Sequence, residues 1–153
     1  MKVCKIISGG QTGADRGGLD AAIALGLEHG GWCPRGRRAE DGRVPEKYRL
    51  SEASTTSYTQ RTDLNVRDSD ATVVFTLTAL TPGSWRTIHT ATAWGRPSLH
   101  VALDTEPAPI ERLRTWCLEH GVVTLNVAGS RESKARGIQE RTRAVVLGAL
   151  RPG

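Results

Sequence analysis

The chain has 153 residues, 38% of them hydrophobic and 24% charged, with a formal net charge of +5 at pH 7. This size and balance suit one globular domain, residues 1–153, with a core of its own, and they exclude a disordered chain or a disulfide-stapled miniature. The basic surplus favours anionic ligands, but acidic residues such as Glu40, Asp41, Glu46, Glu132 and Glu140 are interleaved and no basic–aromatic alternation occurs, so nucleic acid is not an expected partner.

Cys4, Cys33 and Cys117 are odd in number and widely spaced, which suggests neither a disulfide framework nor a zinc site. No apolar run has the length of a signal peptide or a membrane span. A reduced, cytoplasmic setting without membrane attachment is therefore expected.

Val3 to Ile7 is short, β-branched and mostly apolar, and predicts a buried strand. Leu19, Ala22, Ile23 and Leu27 predict a helix that ends in Glu28-His29-Gly30-Gly31. Between them, Ser8 to Leu19 place Gly9, Gly10 and Gly13 where strand becomes helix. Such a junction offers unpartnered N–H groups at the positive end of the helix dipole, and glycines let a phosphate or similar oxyanion come close. Gln11 and Thr12 add further donors. A plainer reading stands beside this one. Glycine also serves turns that need positive φ, and Thr12 with Asp15 fits a capping box. The stretch has neither the lysine of a Walker A loop nor Gly-x-Gly-x-x-Gly spacing.

Gly31 to Pro34 predicts a short second strand stopped by proline. Arg35 to Arg49 predicts a surface loop of roughly a dozen residues, whose Arg35, Arg37 and Arg38 either reach an anionic ligand or form a solvated face. Ser51 to Thr59 is polar and irregular with one short extended piece. Tyr58 to Asp70 predicts a helix anchored by Leu64, and Ala71 to Leu77 a strand. A small-residue turn, Thr78 to Ser84, leads into a helix from Ser84 to Trp94. Ser98 to Leu103 predicts the fourth strand. Pro107 and Pro109 open a helix that closes at Gly121. Val122 to Val127 predicts the fifth strand, Gly129 to Ser133 a third turn, and the last helix carries Ile138, Val145, Val146 and Leu150.

This alternation predicts a Rossmann-like, doubly wound α/β fold, mainly parallel, of about five strands with helices on both faces. Ligands of such sheets lie beyond the C-terminal strand ends. The turns at Gly9–Gly13, Pro82–Thr87 and Ala128–Arg131 all follow strands and should gather on one edge. Together they suit a ligand with more than one oxyanion, or one anion and a flat ring. Trp85 and Trp94 either stack on such a ring or belong to the core. His29, His89, His100 and His120 lack metal-ligand spacing, and no Gly-x-Ser-x-Gly elbow occurs.

Gly9 to Gly17, Gly-Gly-Gln-Thr-Gly-Ala-Asp-Arg-Gly, resembles the opening motif of the molybdenum carrier (molybdenum cofactor carrier) family. Asn65 to Ala71 and Leu125 to Ser133 are similar to that family's later blocks, so the resemblance spans nearly the whole chain. It implies a Rossmann-like fold, a homo-oligomer (dimer or tetramer) and, for some members, binding of molybdenum cofactor, a phosphate-bearing pterin with a molybdenum-oxo group. That family in turn resembles the Lonely-Guy phosphoribohydrolases, which release a base from nucleoside 5′-monophosphates. Arg61, eight residues before Ser69-Asp70-Ala71, matches their helix arginine. Pro82-Gly83-Ser84-Trp85-Arg86-Thr87 matches their Pro-Gly-Gly-x-Gly-Thr motif only in part, and Thr90 stands where their glutamate would be.

N-glycoside cleavage needs a carboxylate to stabilise positive charge or handle a proton. Thr90 does neither, and no Asp or Glu lies between Asp70 and Asp104. The expectation is a binder rather than an enzyme, with molybdopterin as cargo. Gly9, Gly10, Gln11, Thr12 and Gly13 would hold one anionic group. Asp15 is a helix-start residue or a substitute carboxylate. Gly83, Ser84 and Thr87 would form a second nest, Arg61 and Asn65 would neutralise charge, and Ser130 and Arg131 would close the pocket. The alternatives are a nucleoside monophosphate phosphoribohydrolase and a nucleotide-sensing module.

Overall fold

A computed structural model describes residues 2–152. In chain order the elements are β1 (Lys5–Ile7), α1 (Ala14–Leu25), β2 (Glu28–Gly30), β3 (Trp32–Cys33), β4 (Arg38–Ala39), β5 (Gly42–Arg43) and β6 (Ser51–Glu52). Then come α2 (Tyr58–Arg67), β7 (Ala71–Thr76), α3 (Pro82–Ala93), β8 (Ser98–Ala102), α4 (Pro109–Glu119), β9 (Thr124–Gly129) and α5 (Ile138–Leu150). Five strands form one parallel sheet in the order β2-β1-β9-β7-β8, the Rossmann-like α/β architecture expected. No helix among the described residues is long and apolar enough to cross a membrane.

The handedness rule for parallel crossovers accounts for both helical layers. The chain moves one way across the sheet from β1 to β2 and from β8 to β9, and the other way from β2 to β7 and from β7 to β8. So α1 and α4 lie on one face with α5, and α2 and α3 on the other. Alternation along each strand then makes the two faces chemically different. Ile6, Val73, Phe75, Val101, Leu125 and Val127 pack with residues of α1, α4 and α5 in the main core. Each such side chain, fully buried, contributes about 1.5–3 kcal/mol. The opposite face carries Thr72, Thr76, His100 and Asn126. Asn126 Nδ2 donates to Thr72 Oγ1 at 3.1 Å, and Thr76 Oγ1 lies 2.7 Å from His100 Nε2.

Several boundaries differ from expectation. Helix α1 stops at Leu25, because Gly26 takes a left-handed conformation (φ 70°) and Leu27 N donates to Ala22 O at 2.9 Å. Glu28–Gly30 is therefore the edge strand of the sheet rather than the end of a helix. Trp32–Cys33, expected as the second strand, pairs instead with Ser51–Glu52 in a separate two-stranded sheet. Helix α2 ends at Arg67, short of Asp70. Asp70 Oδ2 accepts from Val123 N and Thr124 N at 3.0 and 2.8 Å, which fixes the entrance of β9.

Between β3 and β6 the chain builds a satellite core of Leu19, Cys33, Ala39, Val44 and Tyr48. Arg37 organises it. Its residue is buried, and its guanidinium donates to Val44 O, Pro45 O and Tyr48 O at 3.1, 2.8 and 2.7 Å. Arg37 is thus neither a ligand group nor part of a solvated face. Removing it leaves buried carbonyls without a charged donor, so Arg37→Ala should lower stability by about 2–3 kcal/mol, against roughly 0.5 or less for the exposed Arg38→Ala. Urea unfolding of both variants checks this, and equal losses would contradict it.

Candidate functional site

A cleft of about 390 Å³ opens on the polar side of the sheet, beyond the C-terminal ends of β1, β7 and β9. Helix α2 forms one wall and the start of α3 another, and the turn after β9 closes it. Of the sequence-predicted residues, Gly9, Gln11, Asp15, Arg61, Asn65, Gly83, Ser84, Thr87, Ser130 and Arg131 line this cleft, and Gly10, Thr12 and Gly13 do not.

The glycine turn is occupied from within. A Cβ on Gly9 would sit 1.8 Å from Arg61 Nη1, so the missing side chain makes room for that guanidinium. Arg61 Nη1 donates to Asp15 Oδ2 at 2.7 Å, and Gln11 N donates to the same oxygen at 3.2 Å. Burial pushes the Asp15 carboxyl above its ordinary range, while the Arg61 charge and the Gln11 N–H pull against that rise. Arg61 Nε is buried with no partner among the described residues.

The N–H groups of Gly10 to Ala14 all have internal acceptors. Gly10 N donates to Ser8 Oγ, Thr12 N to Gln11 Oε1, Gly13 N to Gln139 Oε1 and Ala14 N to Ser130 O. No capping box forms either. The residue before α1 is Gly13, at φ 86°, and no side chain caps the helix. Gly13 is held so close to the last turn that a Cβ would lie 2.4 Å from Ser130 O.

Thr12 faces away from the cleft. Its hydroxyl bonds Glu40 and accepts from Glu132 N at 3.2 Å. Glu40, which the sequence did not single out, ties the first turn to the last. Its N–H donates to Gln11 Oε1 at 2.9 Å, and its carboxylate accepts from Ser133 N and Ser133 Oγ at 3.2 and 2.6 Å. Arg16 Nε holds Gly10 O at 2.9 Å, while its two terminal nitrogens grip Asp41.

Asn65 lines the cleft but spends its amide on the backbone of Trp32, accepting from its N–H at 2.8 Å and donating to its carbonyl at 3.0 Å. In the second turn Thr81 caps α3 by accepting from Ser84 N at 3.1 Å, with Pro82 in the first turn. Helix α3 therefore begins two residues before Ser84. Thr87 Oγ1 bonds back to Gly83 O. Thr90 Oγ1 does the same to Arg86 O and does not line the cleft.

Several lining residues were missed, above all Tyr58, Arg86, Asn126 and Lys134. Arg86 was legible, since helical spacing places it on one face with Gly83. Lys134 follows Arg131 by three in a tight turn, where such residues eclipse. The cleft's charged residues are thus Arg61, Arg86, Arg131 and Lys134 against Asp15 alone. Arg86 and Lys134 have no acidic partner within 4.0 Å among the described residues, and Arg131 meets Glu40 only at 3.9 Å. Trp85 and Trp94 lie in neither the core nor the cleft. They are exposed on α3, where Trp85 stacks on His89. Among the described residues no group of three or more His, Cys, Asp or Glu side chains is placed to hold a metal.

A parallel Rossmann-like sheet whose strand-to-helix turns frame a basic cleft defines a class of ligand-binding folds. The chain belongs to the circularly permutated YpsA SLOG family, whose model matches residues 6–150. It is also similar to a crystal structure from Syntrophus aciditrophicus SB of a protein named "putative molybdenum carrier protein". The two are 43% identical with a TM-score of 0.90, over 98% of this chain and 96% of that one. No curated protein matches the chain.

The Glu40 latch gives the site a pH signature. Partial burial would raise the Glu40 carboxyl, but the bonds from Ser133 and Thr12 outweigh it and hold the group below its ordinary value. A depressed carboxylate adds stability above its unfolded pKa and loses it as pH falls through the folded one. Glu40→Gln should therefore destabilise the protein most at pH 6–7, with the gap to wild type closing as the pH falls below about 4.5. Thermal unfolding against pH reads this, and a gap that widens on acidification would contradict it.

Proposed function

We propose that the chain is a binding protein for a small molecule bearing a phosphate or similar oxyanion, with molybdenum cofactor as its cargo. The observation that carries this reading is the charge of the cleft, where Arg86 and Lys134 stand along the rim with no acidic partner within 4.0 Å among the described residues and Arg131 meets Glu40 only at 3.9 Å. Since the N–H groups of Gly10 to Ala14 are already engaged, the anionic group is assigned to the rim. There Gly83 and Ser84 at the start of α3 join those cations. Gly9, Gln11, Asp15, Arg61 and Asn65 line the inner end, with Gly10, Thr12 and Gly13 as scaffold beneath it. Thr87 and Ser130 complete the walls.

The name of the similar Syntrophus protein supports molybdenum as part of the cargo. No side-chain cluster among the described residues is placed to ligate a metal cation directly, so the metal would enter within an anion held through its oxygens, or within a phosphate-bearing pterin cofactor. The reading takes the chain as one domain, acting in the cytoplasm as a homo-oligomer.

A second reading, hydrolysis of a nucleoside monophosphate, is favoured by one feature. Asp15 is a buried carboxylate in the cleft whose proton is held more tightly than usual. It competes with the Arg61 pair that already engages that group.

Gentle purification from cells making molybdenum cofactor, followed by native mass spectrometry and metal analysis, tests the proposal. Wild type should carry molybdenum and pterin, and the Arg86→Ala/Lys134→Ala variant at least about tenfold less. A nucleotide in place of the pterin would move the assignment to the second reading or to nucleotide sensing. Equal cargo in both proteins would place the ligand elsewhere.

A further inference from the structure

The inner end of the cleft differs from its rim, and the difference concerns what the ligand carries besides its anion. Asp15 uses Oδ2 for both Arg61 Nη1 and Gln11 N, and Oδ1 accepts from none of the described residues. Arg61 uses Nη1 for Asp15, and Nη2 donates to none of them. The ion pair is therefore internally neutral yet presents a spare acceptor beside a spare donor. A second anion here would face the Asp15 carboxylate, whereas at the rim Arg86 and Lys134 have no acidic neighbour within 4.0 Å among the described residues and Arg131 meets Glu40 only at 3.9 Å. Tyr58, the aromatic side chain among the cleft-lining residues, has the Arg61 guanidinium 5.4 Å and the Arg131 guanidinium 6.0 Å from its ring centre. A flat group entering between rim and ion pair would meet that ring.

We propose that the Asp15–Arg61 pair is the specificity-determining element for the ligand's neutral head, and that it selects a ring lactam, an N–H beside a C=O. The ring N–H donates to Asp15 Oδ1, and the neighbouring carbonyl accepts from Arg61 Nη2. Hypoxanthine, guanine, uracil and pterin rings share this edge. Adenine and cytosine present the reverse, a bare ring nitrogen beside an amine, which would set a lone pair against the carboxylate. A buried site built around such a pairing rejects the mismatched partner strongly, because its own polar groups are left unpaired. This inference rests on the anion-binding reading and adds to it the class of head group.

The test compares pairs of ligands that differ only at that edge. Binding of inosine 5′-monophosphate, adenosine 5′-monophosphate, uridine 5′-monophosphate and cytidine 5′-monophosphate is measured by calorimetry, with ribose 5-phosphate as the ringless reference. The lactam member of at least one pair should bind about tenfold or more tightly than its partner, and the pair that discriminates identifies a two-ring or one-ring head. Asp15→Asn, whose amide can present either a donor or an acceptor, should bring that ratio close to one. If Asp15→Asn no longer binds ribose 5-phosphate, the site itself has been lost and the wild-type ratio decides alone. Ribose 5-phosphate binding with ratios near one in both wild-type pairs would overturn this inference and leave the anion site standing. Failure of every phosphate to bind would overturn both.

Discussion

The guanidinium of Arg61, lying in the space a Gly9 side chain would fill and paired there with Asp15, is the contact around which the site is arranged. It joins α2 to the first strand-to-helix turn across the polar side of the sheet. Neither charge has another ionic partner at that distance among the described residues, so removing one would strand the other in a buried setting at a cost of about 3–5 kcal/mol. The pair thereby fixes where α2 stands, and with it Tyr58 and Asn65. It also decides the electrostatics of the cleft, because it cancels one cation at the inner end and leaves the surplus at the rim.

Around that contact, the first and last turns are locked to each other and to β7 by the chain's own donors and acceptors. Ala14 N reaches Ser130 O, Ser130 N reaches Phe75 O, and Glu40 bridges Thr12 and Ser133. The first turn is thus a framework in which the N–H groups of Gly10 to Ala14 are satisfied before any ligand arrives. Such preorganisation lets the rim side chains meet a charged group without rearranging the backbone beneath them. The asymmetric sheet serves the same end. Its apolar face carries α1, α4 and α5 and most of the buried hydrocarbon, and its polar face is left to build a cleft lined by Asn126.

Where burial dictates composition, the sequence was readable. Ala71–Thr76 is buried at every position and carries a run of β-branched residues, and the strand lies there. Glu28–Gly30 was hidden because an edge strand of Glu, His and Gly has no hydrophobic signature, and only its pairing with β1 makes it a strand. Trp32–Cys33 looked more strand-like, yet its partner is Ser51–Glu52, nineteen residues away in a polar stretch. In the site, the glycine turn and Arg61 were legible as a pair of motifs, but their direct contact was not. Gly9 reads equally well as space for a phosphate and as space for an arginine, and only the docking of α2 distinguishes the two. Arg37 illustrates the same limit, since nothing in the local sequence separates an arginine that collects carbonyls from its solvated neighbours Arg35 and Arg38.

The central claim is that the cleft takes its anion at the rim rather than on the glycine turn. Amide correlation spectra of the labelled protein, titrated with ribose 5-phosphate, address it directly. The account predicts the largest shifts at Gly83, Ser84, Arg86, Arg131 and Lys134, with smaller ones at Gly10 to Ala14, whose N–H groups already have acceptors. Shifts concentrated at Gly10 to Ala14, or in the apolar groove around Leu118 on the far side of the sheet, would contradict it.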